Sequence, residues 1–294
     1  MEDFRTYGVE RIQVSELEIN NSLPKNYYFD FIESFLSLPK ILQHSLLKEI
    51  YEIVSVLFAD YTFELFCSKE FFDSKATHSI LILIRQTGSN KIIGFNKEHL
   101  HERYAFENDY RESNKYICAS GIVGCIPEFQ GKRILTDLNY LSTYLFVNNF
   151  PQNNLVILDF YTNPISYYSL HKISKNIIPS PGKSYSKKIL DFIIQTANFK
   201  GYKSLPFRHP LMVKEDHLIK NMNKQYLKDN YNKLPKEMKF FIDTTGLEPH
   251  AALTCMPIIQ ILKDNSLGLE EIYYDKPKDL DVKVFRWVIN NPKI

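Results

Sequence analysis

Residues 116–135 read YICASGIVGCIPEFQGKRIL, and this stretch decides the fold. Its first half, Tyr116–Ile126, is apolar and small, the composition of a buried β-strand. Gly121 and Gly124 stand inside it. Glycine within a strand marks a bulge, or a place where another backbone or a ligand comes close. Pro127-Glu128-Phe129-Gln130-Gly131-Lys132 then reads as a turn. From Arg133 to Phe150 apolar residues recur at helical spacing, with Ile134, Leu135, Leu138, Leu141, Leu145 and Phe146 on one face. A strand that runs straight into a helix leaves unpaired backbone N–H groups at the helix's first turn, where the helix dipole is positive. Together they make an anion site suited to a pyrophosphate. Gly131 lets a ligand approach the backbone closely, and Lys132 and Arg133 add charge beside it.

Working outward, Leu155–Tyr161 (LVILDFY) is a second buried strand, broken by Asn163-Pro164. Ser166–Ser174 reads as a short helix. Upstream, His78–Arg85 (HSILILIR), a turn at Thr87–Asn90, and Lys91–Asn96 (KIIGFN) predict a β-hairpin. His99–Asn114 is polar and charged and is expected to be a loop or short helix. Tyr28–Ala59 has apolar residues at three- and four-residue spacing; it is expected to be helical, divided in two by Pro39. Arg11–Glu18 is expected to be a strand, Lys187–Phe199 and Lys214–Lys228 helices, and His250–Leu262 to contain a strand. Asp281–Asn290 reads as a terminal strand. The expected class is α+β, a mixed central sheet flanked by helices. Residues 1–75 would pack a strand and helices on a core formed by 76–182, and 183–294 would return strands to the sheet.

The balance of 36 Lys and Arg against 34 Asp and Glu argues against a dedicated nucleic-acid binder. With 44% hydrophobic and 24% charged residues, the chain can bury a core without disulfides or a structural metal. Its four cysteines form neither a C-x-x-C pair nor a zinc spacing, and read as reduced, buried thiols. The N-terminus has no secretory pattern, and no stretch is apolar enough for a transmembrane helix. A reducing cytoplasm is the expected location, with a secreted effector as the alternative. Abundant Lys, Asn and Ile point to an AT-rich genome such as a bacterium's.

Cys125-Ile126-Pro127-Glu128-Phe129-Gln130-Gly131-Lys132 resembles the signature of the GNAT N-acyltransferase family. In that family a strand ends in an apolar-x-Pro-x-aromatic segment, then a Gln or Arg and a glycine-rich turn, then a helix. Leu155–Asn163 and the Tyr-bearing helix after it resemble the family's next motif, and the Ser79–Asn96 hairpin fits its strand order. There are departures. The family's two further glycines are Arg133 and Leu135 here, and Tyr167 and Tyr168 come nearly one helical turn early after Asn163.

The resemblance implies acetyl-CoA or another acyl-CoA as co-substrate, an amine on a small molecule or protein as acceptor, and no metal. It implies a pantetheine arm along the Ile117–Ile126 strand, held by backbone groups of Cys125 and Ile126. The pyrophosphate would sit on Gln130, Gly131, Lys132, Arg133, Ile134 and Leu135, with Asn163 beside the cofactor. The amine would attack the thioester directly. A base would deprotonate it, a Tyr hydroxyl would protonate the leaving thiolate, and a backbone N–H near Ile126 would polarise the carbonyl. Tyr168, then Tyr167, are the candidate acids. Asp159 and Glu98 are the candidate bases, with Glu102 and Glu107 nearby.

Each has a plainer reading. Asp159 could be a strand-end residue bonded to a loop, and Glu98 part of a solvated loop. His99 and His101 lack a third metal ligand. Cys125 could be purely structural, and Lys183, Lys187 and Lys188 a solvated face. Two other functions stay open: a CoA-binding module without turnover, and an enzyme using long acyl chains or acyl-carrier proteins.

Overall fold

The computed structural model describes residues 9–13, 26–106, 110–111, 114–131, 134–174, 176–205, 209–215, 218–220, 222–248, 250–262 and 266–269. From the N-terminus come β1 (Val9–Gln13), β2 (Tyr27–Ile32), α1 (Lys40–Leu57), β3 (Phe58–Ala59), α2 (Phe63–Glu70), β4 (His78–Gln86), β5 (Ile92–Tyr104) and β6 (Lys115–Cys125). There follow α3 (Ile134–Asn149), β7 (Asn154–Ile157), β8 (Asp159–Tyr161), α4 (Pro164–Ile173), β9 (Ile177–Ile178) and α5 (Lys187–Phe199). The last are β10 (Lys203–Ser204), β11 (Met212–Lys214), β12 (Leu218–Ile219), α6 (Lys224–Asp229), α7 (Lys236–Thr245) and β13 (Ala251–Gln260).

Eleven of the described strands form one sheet in the order β1-β2-β4-β5-β6-β7-β13-β11-β10, with β8 and β9 also paired to β13. β6 and β7 are parallel, as a helical crossover through α3 requires, and the other described pairs are antiparallel. The fold is therefore α+β with a mixed sheet. Helices cover both faces. Along β4, Leu81 and Leu83 pack with Ile50 and Val54 of α1, whereas Ile82 and Ile84 pack with Leu138 and Leu141 of α3. Cover on both sides is why HSILILIR is apolar without alternation.

The same physics corrects the reading of the N-terminal third. Tyr27–Ile32 (YYFDFI) is a strand, not a helix, and every residue in it is buried between β1 and β4. A strand covered on both faces meets the same apolar spacing as a helix. Its one acid, Asp30, accepts a hydrogen bond from Arg85 Nε at 2.9 Å. Pro39 stands at the N-cap of α1 and divides no helix. β5 runs on through the charged string Lys97-Glu98-His99-Leu100-His101, which lies inside the sheet. These polar side chains are buried because α2 and the loop after it supply partners: His99 Nε2 meets Glu70 O at 2.7 Å and His101 Nε2 meets Asp73 Oδ2 at 2.9 Å.

Lys214–Lys228 is not one helix. Two short strands come first and α6 begins only at Lys224, because Glu215 is drawn into the interior to pair with Lys69 at 2.6 Å. Leu155–Tyr161 is two strands: β7 pairs with both β6 and β13, whereas β8 keeps β13 and leaves β6. Asp281–Asn290, Glu107 and residues 14–18 of the first expected strand lie outside the described residues.

Gly121 fulfils the expectation of a close backbone approach. A Cβ added there would stand 1.8 Å from Lys97 O. Gly121→Ala is therefore expected to force β5 and β6 apart locally and cost about 1–3 kcal/mol, read as a lower denaturant midpoint. An unchanged midpoint would contradict this packing.

Candidate active site

β6 and β7 pair only from Tyr116↔Asn154 to Ala119↔Ile157. Leu158 N then donates to Ala119 O at 2.7 Å, and β8 turns away to pair with β13. β6 continues to Cys125 beside β5 alone. The sheet therefore splays open between β6 and β8. In a strand, the backbone groups of successive residues point alternately to the two neighbouring strands. Ile126 N donates to Ile93 O at 2.9 Å on the β5 side, and Ala119 O faces the β7 side. By this alternation Val123 and Cys125 turn their N–H and C=O groups toward the opening, where no described strand meets them. Such a row suits an extended, amide-bearing chain, as an open sheet edge suits a peptide. Ile126 is a correction: its N–H is spent on Ile93, and its carbonyl accepts from Phe129 N at 3.0 Å. It cannot supply the polarising N–H expected there.

The strand leads into a single 3-10 turn at Pro127–Phe129, and then to exposed Gln130 and Gly131. Gly131 has φ +79°, and a Cβ built on it would find no heavy atom within 4 Å. The turn is open to a ligand and needs glycine for its conformation. Ile134 is buried in the core beneath α3 and Leu135 packs partly against it, so they offer only backbone to an anion. Lys132 and Arg133 lie outside the described residues. Asn163 caps α4, its Oδ1 accepting from Ile165 N at 2.8 Å. That is a local reason for an asparagine at this position.

The candidate acids fare differently from the candidate bases. Tyr167 is fully buried, and its hydroxyl donates to Pro179 O at 2.9 Å. Its ring packs 4.6 Å from His171 and 5.6 Å from Phe241. Tyr168 packs against the small cluster of Leu227, Met238 and Leu247, with Lys172 Nζ 4.4 Å over its ring. Neither set of contacts draws its hydroxyl to the splay. Tyr167→Phe is expected to cost about 1–3 kcal/mol by stranding the Pro179 carbonyl, with acyl transfer unchanged. A turnover loss larger than tenfold would restore Tyr167 as the acid.

Glu98 and Asp159, distant in sequence, are brought together. Glu98 lies opposite Gly121 in the β5–β6 register, and its buried Oε2 has no hydrogen-bond partner. Asp159 opens β8, and its Oδ2 accepts from Tyr161 OH at 2.9 Å. Burial, and then the charge of Asp159, push the Glu98 carboxyl up to about 8. Burial raises Asp159 to about 6, against the Tyr161 hydrogen bond. The two charges oppose each other, so the ionisation of one raises the other and their titrations are linked. Glu102 instead pairs with Lys115 at 3.0 Å with its side chain 41% exposed.

A cavity of about 200 Å³ opens at the same level of the sheet, beside α2. Ser120 and Gly121 of β6, Phe160 of β8, Glu70 and Asp73 from α2 and its loop, and Lys200 and Tyr202 after α5 contribute to its wall. The Phe160 and Tyr202 rings stack at 3.6 Å and 11°. Sequence reading missed α2, and with it Glu70 and Asp73. The available signal was Thr62, whose Oγ1 accepts from Leu65 N at 3.2 Å as an N-cap, with Glu64 in the first turn. Among the described residues no three His, Cys, Asp or Glu side chains are grouped to hold a metal ion. Cys125 is buried, which pushes its thiol up to about 11, the state of an inert cysteine. No described helix is long and apolar enough to cross a membrane.

No family model and no curated protein matches the sequence. Among solved structures, the chain is similar to an aminoglycoside N-acetyltransferase in complex with CoA, at 14% identity over 51% of this chain and 87% of that one, with a TM-score of 0.34. It is similar to a spermidine N-acetyltransferase mutant from Vibrio cholerae at 11% identity, over 78% of this chain and 93% of that one, with a TM-score of 0.34. A glucosamine-6-phosphate N-acetyltransferase from Arabidopsis thaliana is matched at 11% identity, over 54% of this chain and 97% of that one, with a TM-score of 0.30. All three are N-acetyltransferases.

Proposed function

We propose that this protein transfers an acyl group, acetyl in the simplest case, from acyl-CoA to an amine. The observation that carries the reading is the splay: β6 loses its β7 neighbour after Ala119, and its free edge leads directly into the open Gln130–Gly131 turn before α3. The pantetheine amides would bond along Val123 and Cys125, and the pyrophosphate would rest on the backbone amides of 130–135. The thioester then lies beside Gly121, at the mouth of the cavity. An amine in the cavity is held against it, which replaces a bimolecular encounter by a positioned one. The amine nitrogen bonds to the thioester carbon, the C–S bond breaks, and the sulfur leaves as thiolate. The Glu98–Asp159 pair, turned to the face of the sheet opposite the cavity, takes the amine's proton through the opening between β6 and β8. Crystals soaked with acetyl-CoA test the placement: pyrophosphate density anywhere but on the 130–135 amides refutes it.

One observation favours a second reading, a CoA-binding module without turnover. Tyr167 donates its hydroxyl to Pro179 O and Tyr161 donates its own to Asp159 Oδ2, so neither is free to protonate the thiolate. Calorimetry with CoA, run beside an assay of free thiol released from acetyl-CoA across a panel of amines, separates the two. Binding without thiol release supports the module.

A further inference from the structure

The cavity beside α2 has more hydrogen-bond donors than acceptors to offer a ligand. Lys69, Lys75 and Lys200 all reach its wall. Lys75 Nζ donates to Phe199 O at 2.7 Å, and Lys200 Nζ donates to Asp73 Oδ2 at 2.8 Å. An ammonium carries three N–H groups, so each of these two has donors beyond the bond named. The Ser120 hydroxyl also lines the cavity; it is 3% exposed and has no hydrogen-bond partner. Leaving a buried hydroxyl unpaired is costly, and a ligand oxygen at that point would relieve it.

Of the two acids in the wall, Asp73 has both oxygens engaged and Glu70 has one. Asp73 Oδ1 accepts from Lys75 N at 2.9 Å, while Oδ2 takes both His101 Nε2 at 2.9 Å and Lys200 Nζ at 2.8 Å. Burial works against the Asp73 charge, but these bonds outweigh it and hold the carboxyl well below its usual range. Glu70 Oε1 accepts from Tyr61 OH at 2.5 Å. A second cationic group on a ligand would thus meet three ammonium groups, with Asp73 spent and only the second oxygen of Glu70 to receive it. The space is small: about 200 Å³ is roughly seven times a water molecule's share of liquid volume.

We infer that the acceptor is a short amine that also carries an anionic oxygen group, a carboxylate or a phosphate, bound by Lys75, Lys200 and the Ser120 hydroxyl. This rests on the reading above that the cavity receives the acceptor. The anion anchors one end in the donor-rich wall. The amine end is left toward Gly121, where the sheet opens. The Phe160–Tyr202 ring stack forms one side of the space that the methylene chain crosses.

The test is calorimetry and ligand-observed NMR on the full chain, with and without CoA, using γ-aminobutyrate against propylamine and O-phosphoethanolamine against ethanolamine. Each pair differs only in its anionic group. At least tenfold tighter binding of one anionic member supports the inference, and the pair that discriminates more identifies carboxylate or phosphate. Lys75→Gln and Ser120→Ala should each weaken that member at least threefold and leave CoA affinity unchanged. Equal binding within both pairs, tighter binding of 1,3-diaminopropane, or no binding of either anionic member overturns it. Because CoA affinity is read separately, failure of CoA to bind overturns the acyl-transfer reading, while the amine pairs still report on the cavity.

Discussion

Replacing Gly131 by aspartate is expected to weaken CoA binding at least tenfold while leaving the protein folded. The position has open space around it, so bulk alone causes no clash within the protein. Its φ of +79° lies in the left-handed region, so any side chain there adds backbone strain. Aspartate adds a second effect, because its carboxylate would stand among the amides proposed to hold the pyrophosphate. Two like charges about 4 Å apart near a protein surface repel by about 4 kcal/mol at an effective dielectric of 20. Solvent and salt reduce this, but about 1.4 kcal/mol already corresponds to a factor of ten in affinity. Gly131→Asn shares the strain without the charge, and asparagine tolerates this conformation comparatively well. It should retain most of the affinity. Titration calorimetry with CoA, alongside thermal unfolding of both variants, makes the comparison. Wild-type affinity in Gly131→Asp would remove the phosphate site from this turn.

The second large effect is expected at the carboxyl pair. Glu98→Gln or Asp159→Asn should lower kcat by about a hundredfold to ten-thousandfold, the usual contribution of a positioned general base. The pH dependence carries a sign. The pair must lose its proton before it can accept one, so wild-type kcat/KM should rise as pH passes through the window from about 6 to about 8 set by the two groups. The variants should lose that rise. Stability runs the other way. The folded-state value of Glu98, about 8, lies above its ordinary 4.5, so the folded state binds the extra proton between them. Stability is fully present below about 4.5 and is lost as pH rises through about 8. Glu98→Gln should therefore gain on wild type at pH 9 relative to pH 5 in denaturant titrations. A flat wild-type rate profile across the window, or full activity in both variants, would take the base role from this pair.

The residues of this site were legible in the sequence to different depths. The strand–turn–helix of 115–149 was readable because its signals are local. A continuous apolar run, a Pro and a Gly at the turn, and one apolar helical face each act within a few residues of chain. Gly121 was readable for the same kind of reason: a glycine inside a strand implies a close neighbour, and that neighbour is Lys97 O. Asp159 could be named as an ionisable residue in an apolar strand, and Glu98 only as one of several acids in a polar stretch where the resemblance allows a base. Nothing local set them at one level of the sheet, because their meeting depends on β5 pairing with β6 and on β8 leaving it.

By itself, then, the sequence determined the α+β class, the turn that opens α3, and the choice of glycine at Gly121 and Gly131. Those follow from backbone sterics and from the period of apolar residues. Only the tertiary structure decided that YYFDFI is a strand, that Lys97, His99 and His101 are interior, and that Tyr167 is buried with its hydroxyl on Pro179 O. It also decided that Glu70, Asp73, Lys75, Lys200 and Ser120 share one cavity. For three of these the physical reason is the same. The buried polar side chain has its hydrogen bond completed by a distant segment: Arg85 for Asp30, Glu70 O for His99 and Pro179 O for Tyr167.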